Sequence, residues 1–255
     1  MKIRKIIPLA MSLFFASNVA SQTQVIAHRG FWKTSGSAMN SLTSLTKADS
    51  LGCYGSEFDV WLTKDNQLVV NHDSSFRGKS MEKTSLAELT ELKLDNGENL
   101  PSLKSYLETG KTFKTHFILE LKEHSKPERE TEAVKKIIAI VKRMGLETRM
   151  DYISFSLHAV KEFIRLAPAG TPVLYLKGDL SPQQLKEIGA TGADYQLDVF
   201  KKNPEWITEC HNSGMKVNVW TVDKEKDFKW LILQKVDFIT TNEPAILKKM
   251  LRMTE

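Results

Sequence analysis

The alternation of short strands with longer helical stretches is the feature of this 255-residue chain that most restricts its fold. Runs rich in β-branched and aromatic residues recur, and amphipathic patterns separate most of them. The strand candidates are 25–28, 56–62, 68–71, 116–121, 152–155, 172–176, 194–199, 216–220 and 236–240. The clearest helix candidates are 41–50, 102–109, 128–144, 157–166, 181–188, 204–213 and 224–234. Such an order predicts an α/β fold around a parallel sheet.

The third strand candidate does not fit a purely parallel order. Only residues 63–67 separate it from the second strand, whereas parallel neighbours need a crossover of about a dozen residues. It must therefore return antiparallel, with Asp65 and Asn66 as the turn, which predicts that Asp59 lies opposite His72. Eight parallel strands then remain, which is the number that a (β/α)8 TIM barrel requires. We expect one such barrel over residues 22–255, with a β-hairpin extension after its second strand.

The first 21 residues have the layout of a secretory signal peptide. A basic start is followed by an apolar run over residues 6–16 and by small residues up to Ala20 and Ser21. A run of 11 apolar residues is too short to span a bilayer, which takes about 20. The sequence therefore predicts export across the inner membrane, to a bacterial periplasm, without stable membrane insertion.

Composition excludes several classes of protein. Hydrophobic residues make up 41% and charged residues 26%, which argues against a disordered or fibrous chain. Without the leader's Lys2, Arg4 and Lys5, the net charge falls from +5 to +2, so nothing indicates a nucleic-acid partner. An oxidising compartment would allow Cys53 and Cys210 to pair. Because they precede different strands, we expect two buried free thiols instead. The oligomeric state is left open.

Three acidic residues lie within predicted barrel strands. Strand alternation puts Glu57 and Asp59 on one face, and Glu120 stands near the end of another apolar strand. Inward carboxylates are costly unless a cation or hydrogen bonds compensate them, and oxygen ligands of this kind suit Ca2+ or Mg2+. The alternatives are solvated acids on an edge strand and, for Glu120, a surface salt bridge.

Basic and aromatic residues follow the same strand ends. His28 and His72 would allow one imidazole to take a proton while the other gives one. Arg29 has the forked donor that fits a phosphate, and Lys122 shares a strand face with the nearby acid. Trp220 would either cover a ligand or cap the core.

Six short segments occur in an order that resembles the glycerophosphodiester phosphodiesterase family, from Val25 to about Leu247. They are His28-Arg29-Gly30, Glu57-Phe58-Asp59-Val60, Val70-Asn71-His72-Asp73, Leu119-Glu120-Leu121-Lys122, Val219-Trp220-Thr221-Val222 and Ile239-Thr240-Thr241-Asn242. The resemblance implies a TIM barrel of the phospholipase-C-like phosphodiesterase type. It also implies one bound divalent cation, Ca2+ or Mg2+, and hydrolysis of a glycerophosphodiester to glycerol 3-phosphate and an alcohol, a step of phospholipid degradation.

The resemblance also implies a role for each matching residue. The implied metal ligands are Glu57, Asp59 and Glu120, the implied acid/base pair is His28 and His72, and the implied substrate contacts are Arg29, Lys122 and Trp220.

One position departs from the family pattern. Where the family usually has Pro-Glu-Asn-Thr, this chain has Ala38-Met39-Asn40-Ser41, and a methionine cannot replace a carboxylate on a hard cation. Three acids still suffice for a site completed by water and substrate oxygens. Two other functions are left open: a phosphodiester lyase that releases a cyclic phosphate, and a non-catalytic periplasmic barrel that binds a phosphate ester.

Overall fold

A closed ring of eight parallel strands forms the centre of the protein, in a computed structural model that describes residues 22–253. The signal peptide predicted over residues 1–21 lies outside the described residues. The strands are β1 Gln24–Ala27, β2 Gly55–Leu62, β3 Leu68–Val70, β4 Ser75–Phe76, β5 Lys79–Ser80, β6 His116–Leu121, β7 Met150–Ser154, β8 Val173–Tyr175, β9 Gly192–Gln196, β10 Lys216–Trp220 and β11 Phe238–Thr241.

Helices connect the parallel strands and surround the ring. They are α1 Leu42–Leu51, α2 Leu86–Leu89, α3 Leu103–Thr109, α4 Pro127–Met144, α5 Leu157–Leu166, α6 Pro182–Glu187, α7 Leu197–Lys202, α8 Glu205–Asn212, α9 Glu225–Leu233 and α10 Pro244–Arg252, with a 3-10 turn at Glu147–Arg149. Side chains of Ser41, Ser102, Ser156 and Ser181 accept a backbone N–H at four helix starts. Such caps satisfy amides that have no partner inside the helix.

The ring closes because β1 pairs with both β11 and β2. The parallel order runs β1, β11, β10, β9, β8, β7, β6, β2 and back to β1. The predicted (β/α)8 barrel is thereby confirmed. None of the helices between residues 22 and 253 is both long and apolar enough to cross a bilayer.

Two apolar layers hold the ring. A large cluster packs the outer faces of the strands against the helices, and it includes Phe58, Phe117 and Val219. A smaller cluster centred on Ile118 and Ile153 comes from alternate strand positions and is separate from the large one. This smaller cluster fills the inside of the ring, below the polar residues at the C-terminal strand ends.

The hairpin after β2 exists, but its register differs from the prediction by one residue. Val60 pairs with Val70 and Leu62 with Leu68, so the loop has three residues rather than two. Asn66, the last of the three, has a φ of 56°, and this left-handed residue absorbs the extra position. The partner of Asp59 is therefore Asn71, whose N–H donates to the Asp59 carbonyl at 3.0 Å, and not His72.

The edge of β2 explains where the hairpin lies. Val60 pairs with Leu121 of β6 on one edge and with Val70 of β3 on the other. β1 pairs with this second edge of β2 only at its start, at Gly55 and Ser56. Further along the same edge β2 pairs with β3 instead, so the residues that follow β3 lie close to those that follow β1.

One predicted strand is wrong in its position. Residues 194–199 were expected as a strand, whereas β9 covers Gly192–Gln196 and Leu197 begins helix α7. The apolar residues of this helix produce a strand-like run in the sequence, but Phe200 is buried against the barrel from a helical turn.

Cys53 and Cys210 are both buried and unpaired, which confirms the expectation of two free thiols.

Candidate active site

Three carboxylates meet at the C-terminal end of β2 and β6. Glu57, Asp59 and Glu120 each offer an oxygen within 4.8 Å of the others, and all three are buried. The strand register produces the cluster, because Asp59 pairs laterally with Glu120 on neighbouring parallel strands. Glu57 lies two residues before Asp59 and therefore shares its face.

Two basic side chains border the acidic cluster. Lys122 Nζ lies 2.7 Å from Glu120 Oε1 and 3.3 Å from Asp59 Oδ1. Arg29 Nε lies 3.7 Å from Asp59 Oδ2, and the backbone N–H of Arg29 donates to Glu57 Oε2 at 2.8 Å. The site thus brings the predicted metal ligands and the predicted phosphate contacts together.

Burial and mutual repulsion set the protonation of the acids. Burial first, and then the charge of Asp59, raises the pKa of Glu57 well above its usual value and that of Glu120 to about 8. Burial would also raise the pKa of Asp59, but the surrounding positive charges, with Lys122 the largest, outweigh it and lower this pKa. One member of the cluster is therefore firmly anionic, while the other two carry charge only at a cost.

The donor set fits a hard divalent cation. Glu57 Oε1 is buried without a hydrogen-bond partner among the described residues, and such an oxygen is costly unless something binds it. Carboxylate oxygens are the ligands that Ca2+ and Mg2+ prefer. Glu57, Asp59 and Glu120 are the residues that would hold the ion.

The His28 imidazole is held by a polar network from the last barrel strand. Its Nδ1 lies 2.8 Å from Asn242 Oδ1, which also accepts from Trp32 Nε1 at 3.0 Å. Asn242 Nδ2 in turn donates to Asp223 Oδ2 at 2.8 Å. Burial first, and then the charge of Arg29, lowers the pKa of His28 to about 4. His28 is thus a neutral imidazole near pH 7, with Nε2 3.9 Å from Glu57 Oε2.

The second histidine comes from the segment that follows β3. His72 Nδ1 lies 2.7 Å from Asp73 Oδ1, and its side chain is 40% exposed. Trp61 Nε1 donates to the His72 carbonyl at 3.3 Å, which fixes the backbone there.

The histidines and acids described above border a common cavity of about 120 Å3. His28, Arg29, Glu57, His72 and Glu120 line one part of it. The rest of the lining is Ile153, Phe155, Leu176, Asp194, Trp220, Thr221 and Thr240. The two histidines and two of the acids therefore face the same space, and Trp220 borders it.

The loop after β1 is shaped by residues in the left-handed region. Arg29 has a φ of 55° and Asn40 a φ of 59°, and the Asn40 N–H donates to the Arg29 carbonyl at 3.0 Å. Asn40 Nδ2 donates to Asp59 Oδ2 at 2.9 Å. At Gly30, with a φ of 75°, a Cβ would lie 2.3 Å from Ser44 Oγ, so the loop packs directly on α1.

Met39 contributes no charge to this loop. Its sulfur accepts from Arg29 Nη1 at 3.3 Å, and its side chain is 40% exposed. The carboxylate that the family pattern usually has here is thus replaced by a weak acceptor for Arg29.

Several residues of the site were not singled out by sequence reasoning. Asp194 and Asp223 stand in or after barrel strands without any local pattern that marks them. Asn40 and Asn242 were named only as parts of family segments. Their roles depend on contacts between distant segments, such as the 2.8 Å contact between His28 and Asn242, which are 214 positions apart.

A closed (β/α)8 barrel with carboxylates, lysine, arginine and two histidines at its C-terminal mouth has the architecture of a barrel enzyme that acts on an anionic substrate. Residues 28–246 match the model of the glycerophosphoryl diester phosphodiesterase family. The chain belongs to this family. The expectation that it is an enzyme, a glycerophosphodiester phosphodiesterase, is thereby confirmed.

Individual relatives support this assignment. A glycerophosphodiester phosphodiesterase of Caldanaerobacter subterraneus subsp. tengcongensis is 29% identical over 91% of this chain and 98% of its own length. A crystal structure of a glycerophosphodiester phosphodiesterase from Parabacteroides distasonis is 50% identical, with a TM-score of 0.90 over 92% of this chain and 98% of that one. An Oleispira antarctica phosphodiesterase, solved with the product sn-glycerol-3-phosphate, shares the fold at 24% identity and a TM-score of 0.76 over 91% and 97% of the two chains.

Proposed function

We propose that the protein is a divalent-metal-dependent hydrolase that converts glycerophosphodiesters into glycerol 3-phosphate and an alcohol. The observation that carries this proposal is that the cluster of three buried carboxylates and the two histidines meet at one cavity, which Glu57, Glu120, His28 and His72 line. The family supplies the substrate class, and a barrel of the same fold has been solved with glycerol 3-phosphate as its product.

The metal would be held by Glu57, Asp59 and Glu120. When bound, a divalent cation acts as a Lewis acid on a phosphoryl oxygen and makes the phosphorus more electrophilic. Ca2+ and Mg2+ both accept such oxygen ligands, so the donor set by itself favours neither.

Arg29 and Lys122 would bind the phosphoryl group on either side of the acids. Their positive charges stabilise the negative charge that builds up on the phosphoryl oxygens in the transition state. Lys122 already contacts Asp59 and Glu120, so its ammonium is fixed before substrate arrives. Trp220 would cover the bound diester, since its ring borders the cavity and its Nε1 donates to the Asp194 carbonyl at 2.8 Å.

His28 would be the general base, since the network around it selects one tautomer. Trp32 Nε1 only donates and a carboxylate at Asp223 only accepts, so the Asn242 amide must turn its oxygen toward His28. His28 Nδ1 then carries the proton, and Nε2 has a free lone pair. That nitrogen would take the proton of the nucleophile. Attack by water gives glycerol 3-phosphate directly, whereas attack by a glycerol hydroxyl gives a cyclic phosphate that water must then open.

His72 would be the general acid. The carboxylate of Asp73 lies 2.7 Å from Nδ1, so Nε2 is the nitrogen that remains to give a proton to the substrate. As the bond from phosphorus to the leaving oxygen breaks, His72 would protonate that oxygen and the alcohol would depart.

Site variants with a product assay test this proposal. His28→Ala and His72→Ala should each lower kcat by about 10²–10⁴-fold on glycerophosphocholine while the far-UV circular dichroism is unchanged. His211→Ala is the matched control, because His211 pairs with Asp237 away from the cavity, and it should keep normal activity. Near-normal rates in both site variants would overturn the acid/base assignment.

Phosphorus NMR of the products separates the remaining possibilities. The proposal expects glycerol 3-phosphate, loss of activity after chelation, and recovery with Ca2+ or Mg2+. A cyclic phosphate as the end product would overturn hydrolysis in favour of a lyase. Phosphate-ester binding without turnover under any metal would instead identify a non-catalytic barrel.

The compartment of this reaction follows from the N-terminal segment. We propose that residues 1–21 direct the chain to a bacterial periplasm, on the basis of their basic start and short apolar run. Fractionation of a producing bacterium, with N-terminal sequencing of the mature chain, tests this, and recovery of the uncleaved chain in the cytoplasm would contradict it.

A further inference from the structure

A fourth carboxyl group lines the active-site cavity, away from the acidic cluster. Asp194 lies on β9, is 1% exposed, and contributes to the lining together with Thr240. It is not one of the three residues that could share a metal ion. No step of the proposed mechanism uses the side chain of Asp194.

The hydrogen bonds around Asp194 leave it with spare acceptor capacity. Asn218 Nδ2 donates to Asp194 Oδ1 at 2.8 Å and to Thr240 Oγ1 at 2.9 Å, which uses both of its hydrogens. The Thr240 hydroxyl returns its own hydrogen to Asn218 Oδ1 at 3.2 Å. Asn218 and Thr240 thus satisfy each other, whereas a carboxyl group has more acceptor sites than the one that Asn218 fills.

No charge compensates Asp194. Within residues 22–253 no lysine, arginine or histidine forms an ion pair with it. Burial is the first cause that raises its pKa to about 7, so near neutral pH the group can accept a hydrogen bond or donate one. Burial of such a carboxyl without a charged partner lowers the stability of the folded protein. A hydrogen bond from a polar ligand group in the cavity would offset this loss.

The strand order divides the cavity lining into two parts. His28 follows β1, and Glu57 and Glu120 belong to β2 and β6, whereas Asp194 belongs to β9 on the other side of the ring. The part with Arg29, His28 and the acids suits a phosphoryl group. The other part has apolar walls, including Ile153 and Leu176, with Asp194 and Thr240 as its polar groups. Apolar walls with a few hydrogen-bonding groups suit a short polyol, whose carbons pack on the walls while its hydroxyls reach the polar groups.

We propose that Asp194 binds the hydroxyls of the glycerol half of the substrate and so selects glycerol phosphates over simple alkyl phosphates. This inference rests on the proposed function for the identity of the ligand. The glycerol half would enter the barrel beside Asp194, the phosphoryl group would lie at the acids, and the second alcohol would point toward solvent.

The test compares two ligands that differ only in the hydroxyls, in a binding assay that needs no turnover. Isothermal titration calorimetry with the metal-loaded protein gives the Kd for glycerol 3-phosphate and for n-propyl phosphate. We expect the wild type to prefer glycerol 3-phosphate by about 10- to 100-fold, which is the range for hydrogen bonds to a charged group. Asp194→Ala should reduce this preference to about threefold or less, while its Kd for n-propyl phosphate changes little.

The control is a second buried aspartate inside the same ring. Asp151 on β7 is 6% exposed and contacts Tyr54 and His116, but it does not line the cavity. Asp151→Asn should keep the wild-type preference. If Asp194→Ala does not fold, Asp194→Val replaces it under the same criterion, since a small aliphatic side chain is readily buried and forms no hydrogen bond with the ligand.

The outcomes separate this inference from the proposed function. A wild type without preference, an Asp194 variant with the wild-type preference, or equal loss in the Asp151 control would each overturn the inference, even if glycerophosphodiesters are hydrolysed. A preference that depends on Asp194, in a protein that hydrolyses no glycerophosphodiester, would support the inference and overturn the proposed function.

Discussion

The Nδ1 nitrogen of His28 lies 2.8 Å from the amide oxygen of Asn242, at the end of the last barrel strand. The residue that follows the first strand is thus oriented by a residue that follows the eighth parallel strand. Closure of the ring brings them together, since β1 and β11 pair with Ala27 beside Thr241.

Asn242→Ala should lower kcat by about 100-fold, because loss of the amide oxygen lets the His28 ring turn and leaves Trp32 Nε1 unpaired. The 15N NMR spectrum of the imidazole should change from a single Nδ1–H tautomer to a mixture. Asn203→Ala is the control, because the side chain of Asn203 donates to the Val199 carbonyl, away from the site. A variant with reduced activity and an unchanged tautomer would contradict the positioning role.

Glu57→Gln should abolish stabilisation by divalent cations. Saturation at about 100 times the Kd contributes about 2.7 kcal/mol, which corresponds to a Tm increase of roughly 5–10 °C for a chain of this size. Differential scanning calorimetry with Ca2+ or Mg2+ after chelation measures this. Glu130→Gln, a buried glutamate that bonds His124 N and Ser156 Oγ outside the site, should respond like the wild type. Equal increases in both variants would exclude Glu57 as a ligand.

Glu120→Gln should stabilise the metal-free protein at high pH and less at low pH. The pKa of Glu120 is about 8 in the folded protein, against an ordinary value of 4.5. The folded state therefore binds more protons than the unfolded state between these values, and stability is lost as the pH rises through 8. Glutamine removes this loss, so the Tm difference between variant and wild type should be larger at pH 8.5 than at pH 5. A pH-independent difference would show that Glu120 does not carry the buried charge.

Neither thiol should react in the native protein. Burial is the first cause that raises the pKa of Cys53 and of Cys210 to about 12, so almost no thiolate is present at pH 8. Titration with Ellman's reagent should detect no thiol within minutes under native conditions and two after denaturation in guanidinium chloride. Rapid reaction of either thiol before denaturation would contradict the buried positions.

The barrel could be predicted from sequence because a predicted helix follows seven of the eight predicted parallel strands; the last helix, α10, was not predicted. The hairpin was predicted for a comparable reason, since five residues permit only an antiparallel return. Its register could not be predicted, because the choice between a two-residue and a three-residue loop depends on Asn66 entering the left-handed region. That conformation carries no hydropathy signal.

The acidic cluster was predictable because charged residues are conspicuous in apolar strands. Glu57 and Asp59 share a face by alternation, and only their proximity to Glu120 required the strand order. Asp194 also lies in a buried strand, but the predicted strand 194–199 begins at this residue. The predicted bounds placed Asp194 at the start of the strand, whereas it lies inside β9. For this reason it was not recognised as an acid that faces the inside of the barrel.

Within residues 22–253, the hairpin that carries His72 pairs with one ring strand, β2, and its further hydrogen bonds are with residues outside the ring, such as Pro101 and Arg129. The hairpin is not part of the closed ring of eight parallel strands. One of the two proposed catalytic histidines is consequently encoded outside the stretches that close the barrel, whereas the three acids lie on ring strands. A change in the length of this hairpin would displace the His72 imidazole and leave the barrel closed. A screen that selects only for folded variants would therefore accept many inactive ones.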